Sequence, residues 1–219
     1  MIKKKALKLL ALIWPLFSAS ARGALRLRTM NHAAAILSVI LKDVEEVTKQ
    51  KIYLDSLGRV LEVGSGKIPL MPFIFYAAGN KRVVSVDVER QLRTIEWKIA
   101  FEMNDLVHRI LAPHIRPENY ERFILKLRDL LSGTAKFSDS IAYLAPIPSS
   151  KYQLLGEFDF QFSYTVLEHV PESELNELFQ GMAQSLSVDG ISVHYVDHYN
   201  HRGGIYDPFS NIVAGFRSN

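Results

Sequence analysis

The stretch Arg59-Val60-Leu61-Glu62-Val63-Gly64-Ser65-Gly66 decides the fold. An apolar strand ends in it at Glu62, and Gly64 and Gly66 follow at once. A second apolar strand, Val83-Val84-Ser85-Val86, ends in Asp87. Glycines at a strand end let backbone approach a ligand closely. An acid at the end of the next strand is placed to accept ribose hydroxyls.

Outward from this pair, strand and helix patterns alternate. Apolar spacing predicts a helix over 31–50, with Ala35, Leu37, Ile40, Leu41 and Val44 inward and Asp43, Glu45 and Glu46 outward. A short apolar helix over 69–78 starts at prolines and stops at Gly79-Asn80. Helical patterns over 89–111 and 118–131 exceed the single crossover a parallel sheet needs. They form an insertion at about 89–135, read either as a cap beside the site or as a structural addition. Strands are expected at 141–144, 158–164 and 191–196, with a helix over 171–186 whose inward residues are Leu175, Leu178, Met182 and Leu186. Val188-Asp189-Gly190 reads as the turn into the last strand. The result is an α/β fold, a Rossmann-like doubly wound and mainly parallel sheet with flanking helices.

Composition narrows the function. The 219 residues carry a net charge of +3 and no cysteine, which excludes disulfides, thiolate metal sites and a cysteine nucleophile. The basic excess is local: Lys3, Lys4, Lys5, Lys8, Arg22, Arg26 and Arg28 crowd the front. Residues 1–30 therefore read as a separate basic, apolar segment ahead of a domain over 31–219. Residues 1–28 are expected to make a peripheral membrane contact or to dock as a helix on the domain. An export signal cleaved after Ala19-Ser20-Ala21 is the competing reading, weakened by Lys8 and Pro15 within the apolar stretch.

Three segments resemble the class I S-adenosylmethionine-dependent methyltransferases, in their small-molecule, type 11-like branch. Val60-Leu61-Glu62-Val63-Gly64-Ser65-Gly66 is similar to the family's glycine-rich motif, and Val84-Ser85-Val86-Asp87 to its acidic second motif. Phe158-Asp159-Phe160 through Val166-Leu167-Glu168-His169-Val170-Pro171 is similar to its fourth strand and following loop. Ser187-Val188-Asp189-Gly190 resembles that branch's approach to strand five, and the likeness covers about 58–198. It departs at Ile68, where a third glycine is common, and at Tyr143-Leu144-Ala145-Pro146, which lacks the acid that often meets adenine. Residues 200–219 leave no room for the family's closing strand hairpin, so a C-terminally shortened sheet of lowered stability is expected.

The resemblance implies S-adenosyl-L-methionine as cofactor. Glu62, Gly64, Ser65 and Gly66 would hold its methionine end, Asp87 its ribose and Val88 its adenine face. Ser163 and Tyr164, ending strand four, would line the same crevice. Methyl transfer depends mainly on alignment, and a base helps when the nucleophile carries a proton. The candidate bases are His169, in the loop after strand four, and His198, which with Asp197 ends strand five; His194 and His201 complete the set. For Glu168 and His169 a helix-start or packing role is favoured over catalysis. No metal is assigned.

The function expected is methyl transfer to a small-molecule or glycan-type acceptor, at oxygen, in the cytoplasm and at the inner face of a membrane if residues 1–28 anchor there. The alternative is a catalytically inactive or truncated S-adenosylmethionine-binding domain. A nicotinamide oxidoreductase would want a third glycine and no acid at Glu62. A nucleic-acid substrate is not expected, since Tyr164-Thr165-Val166 stands where an Asn/Asp-Pro-Pro-Tyr motif would be and no basic stripe appears.

Overall fold

The computed structural model describes residues 19–66, 70–90, 105–131 and 140–196. Strands β1 (Arg59–Val63), β2 (Arg82–Val86), β3 (Ile141–Leu144), β4 (Phe158–Tyr164) and β5 (Leu186–Tyr195) form one sheet of order β3-β2-β1-β4-β5. Every pairing is parallel. The chain is a Rossmann-like α/β protein, as the strand–helix alternation predicts, and β1 is central.

Helices cover both faces. On one lie α1 (Ala19–Thr48), α2 (Leu70–Ala78), α3 (Asp105–Leu111) and α4 (Tyr120–Leu131). Leu37, Ile40, Leu41, Phe73, Phe75, Phe123 and Leu127 join Val60, Val83, Phe160 and Phe162 in this larger core. The Phe75 ring sits 6.0 Å from Phe160 and 5.2 Å from Phe162, tilted against both. The opposite face packs Leu61, Val63, Val84 and Val86 under Tyr152, Leu178 and Met182, which come from a 3-10 segment (Ser149–Leu155) and α5 (Glu172–Ser185).

Several expectations need correction. Helix α1 begins by Ala19 and crosses residue 30 without a break. Ala35 is exposed, because Ala33, Ala34, Leu37, Ile40, Leu41 and Val44 define the buried stripe and 35 falls opposite it. Leu175 is half-buried, and Leu186 belongs to β5 rather than the helix. The described part of the insertion is a packing layer, since Phe123, Leu127 and Leu130 of α4 share the core of α2; residues 91–104 and 132–139 lie outside the described residues. Among the described residues no helix is long and apolar enough to cross a membrane.

The expected turn at 188–190 is a bulge inside β5. Phe158 pairs with Leu186 but Phe160 with Ile191, so 187–190 belly out and Val188 is fully exposed. That irregularity sets the later register, placing Ser192 beside Gln161 and His194 beside Ser163. Asp159, at the same end of β4, accepts bonds from Arg59 N (2.9 Å), Arg59 Nε (3.0 Å) and Ser187 Oγ (3.2 Å). Arg59 holds its carboxyl down at about 2. The stabilisation is present above the ordinary carboxylate range and lost as pH falls through about 2. Over a third of the Asp159 side chain is exposed, so its worth is below about 1 kcal/mol.

Gly181 gives a test of the packing on the second face. A Cβ there would stand 2.2 Å from the Ser149 carbonyl oxygen, a backbone atom that cannot step aside cheaply. Helix propensity alone favours alanine by ~1 kcal/mol. Overpacking opposes it by about 1–3 kcal/mol and should win. Gly181→Ala is therefore expected to lower the urea midpoint; a raised midpoint would mean that α5 does not rest on the Ser149 turn.

Candidate functional site

The residues singled out in the sequence gather at the carboxyl end of β1, β2 and β4, where open α/β sheets bind ligands. The glycine turn leaves β1 by donating Gly64 N (2.8 Å) and Ser65 N (3.2 Å) to the Val86 carbonyl. Gly64 has φ +83°, and a Cβ there would lie 2.2 Å from Val166 Cγ2. Gly66 has φ +60° and nothing within 4 Å of where its Cβ would be. The first glycine thus admits the loop after β4, and the second faces an open cradle.

Asp87 ties this turn to β2. Its Oδ2 accepts from Gly66 N at 3.2 Å and, more weakly, from Ser65 Oγ at 3.5 Å; its Oδ1 accepts from Glu89 N at 3.1 Å. Its backbone donates to Leu144 O (3.2 Å) and accepts from Ile147 N (3.0 Å), so the loops after β1 and β3 both hang on it. The carboxylate is buried and partly spent on the loop, leaving only its remaining lone pairs for a ligand hydroxyl. Val88 next to it is 65% exposed, at the rim.

Glu62 is buried on the α1 face, with Ser85 Oγ donating to its Oε2. Burial pushes its carboxyl up to about 7, the nearby Asp87 charge adds to that, and the Ser85 bond opposes it. Burial, with Asp87 again contributing, pushes the Tyr152 hydroxyl up to about 12.

The loop after β4 closes over the turn. Thr165 takes φ +52°, a strained conformation for a β-branched residue, and its N–H donates to Tyr195 O at 2.9 Å. Val166 then reaches Gly64, and a 3-10 turn (Leu167–His169) leads towards α5. Both carboxylate oxygens of Glu168 are buried without a hydrogen-bond partner. The expected helix-start role for Glu168 fails, since α5 has no side-chain cap and Glu174 N bonds Pro171 O instead. His169 is exposed.

Other assignments change. Ser163 is fully buried, and its hydroxyl meets His194 Nδ1 at 2.8 Å rather than lining an open crevice. Tyr164 is half-buried with its ring 5.9 Å from Tyr195, packed toward the larger core. His198, Asp197, His201 and Ile68 lie outside the described residues. Sequence reasoning passed over Thr165 and Val166; the adjacent glycine turn and Val-Leu-Glu-His string were the only signal for them.

Comparison of the chain with protein-family models, with curated proteins and with solved structures returns no match.

The raised Glu62 carboxyl has a signed consequence. The folded chain keeps that proton where the unfolded chain loses it, so stability falls as pH rises from the ordinary 4.5 to about 7 and then levels. Glu62→Gln should flatten this slope and gain stability at pH 8, by at most about 3 kcal/mol. Urea unfolding at pH 5 and 8 checks it. An unchanged slope in the variant would mean that Glu62 is ionised in the folded chain.

Proposed function

We propose that this chain is an S-adenosylmethionine-dependent methyltransferase acting on a small-molecule or glycan-type acceptor, at oxygen. One observation carries the reading. The central strand ends in a glycine turn that is bonded to the acid ending the next strand, and Gly66 faces open space beside it. The donor chemistry fits the cofactor as well: Glu62 and Asp87 supply buried carboxylates beside the turn.

When bound, the cofactor supplies an electrophilic methyl group on a sulfonium cation. The chain would do the rest. Gly66 leaves room for the cofactor against the backbone. The spare lone pairs of Asp87 accept the ribose hydroxyls, while Val88 covers the adenine at the rim. Glu62 ionises to meet a cationic methionine end. A dinucleotide would instead bring its anionic pyrophosphate to this turn, where buried acids oppose it. A cytoplasmic place belongs to the same proposal, as does a membrane contact through residues 1–28.

Gly66→Ala is the discriminating variant. Asp87 is a poor probe, since losing it loosens two loops whether or not a ligand binds. An alanine at φ +60° costs about 1 kcal/mol and meets no atom, so the fold should survive. Calorimetry should show micromolar S-adenosylhomocysteine binding to the parent chain, about 10-fold weaker in Gly66→Ala, and none for NAD. Binding of NAD in preference, or no binding of either by the folded chain, would overturn the proposal.

A further inference from the structure

His194 sits at the carboxyl end of β5 on the sheet face that Ser163 and Ser192 share. Its cross-strand neighbour Ser163 is buried in β4, and the hydroxyl stands 2.8 Å from Nδ1. Two residues back on β5, and so on the same face, Ser192 Oγ stands 2.7 Å from Nε2. Ser192 is exposed and the imidazole between the two hydroxyls is half-buried. Both ring nitrogens are therefore engaged, one toward the interior and one toward solvent.

We infer that Ser192 is an activated nucleophile, with His194 as its base and Ser163 as the group that orients the ring. Three features define such a centre: a hydroxyl bonded to a base, a base bonded to a third group, and an accessible attacking atom. All three occur here. With the proton on Nδ1 donated to Ser163, Nε2 is left to accept from Ser192. Burial lowers the imidazole below its ordinary range, which keeps it neutral at pH 7. A third member that is a serine and not a carboxylate makes a weaker base, so the substrates to expect are activated acyl or phosphonyl groups.

The step balances without a further reactant. Ser192 Oγ bonds to the acyl carbon as its proton passes to His194 Nε2. The ester C–O bond breaks, and the leaving alcohol departs with that proton. Water then attacks the acyl-serine, again through Nε2, releasing the acid and restoring the Ser192 hydroxyl. With a fluorophosphonate the O–P bond forms, the P–F bond breaks, fluoride leaves, and the adduct stays on Ser192.

The test is fluorophosphonate labelling of the full chain at pH 7.5, read by peptide mass spectrometry. A single adduct on Ser192 is expected, absent in Ser192→Ala. It should form about 100-fold more slowly in His194→Gln. Ser163→Ala should slow it less than His194→Gln does, since Ser163 only orients the ring. No adduct on the folded chain, an adduct elsewhere, or an unchanged rate in His194→Gln would overturn the inference. The chain has no cysteine, so Ser192→Cys provides a second arm. Its thiol should react with iodoacetamide with an apparent pKa below the ordinary ~8.5, and an ordinary value would count against the inference. Neither arm involves the glycine turn, so failure here leaves the cofactor proposal standing.

Discussion

The site depends on a methyl group that is not there. Gly64 lets Val166 lie where a Cβ would otherwise stand, within 2.2 Å of it. That contact brings the loop after β4 down onto the turn after β1. Any side chain at 64 would lift the loop away from the turn. Thr165 bears strain of ~1–3 kcal/mol to make the same approach, and the Tyr195 carbonyl holds it there. Two distant parts of the chain are thus locked together at the carboxyl end of the sheet by a missing atom and a strained residue.

Charge is the second constraint. Glu62 and Asp87 lie buried at adjacent strand ends, and both carboxylate oxygens of Glu168, in the loop after β4, are buried without a hydrogen-bond partner. Asp87 is compensated by amide donors, and Glu62 by holding its proton. Burying such acids without a cation costs stability unless they are bonded or neutralised. A cationic ligand would relieve that cost, which gives the acids a purpose that packing alone does not.

Much of the architecture was legible in the sequence because it rests on local pattern. Short apolar runs marked β1 and β2, blurred alternation marked β4, and glycines or prolines bounded α2 and α5. The glycine turn and Asp87 were legible for the same reason, being consecutive in sequence and tied to strand ends. The role of Asp87 was not, because its bond to Gly66 depends on how the turn after β1 meets the end of β2. The Ser163–His194 pair was hidden by the bulge at 187–190, which shifts the register of β5 by an amount no periodicity reveals. Ala35 was misplaced because the alanine run 33–35 offers little contrast between helix faces.

The central claim is that the Gly64–Gly66 turn is where an S-adenosyl cofactor sits. Amide chemical shifts of the 15N-labelled chain, followed as S-adenosylhomocysteine is added, test it most directly. The account predicts the largest movements at Gly64, Ser65, Gly66, Val88 and Glu168, saturating together at one dissociation constant. Shifts confined to other parts of the sheet, or a spectrum of the folded chain that does not move, would contradict it.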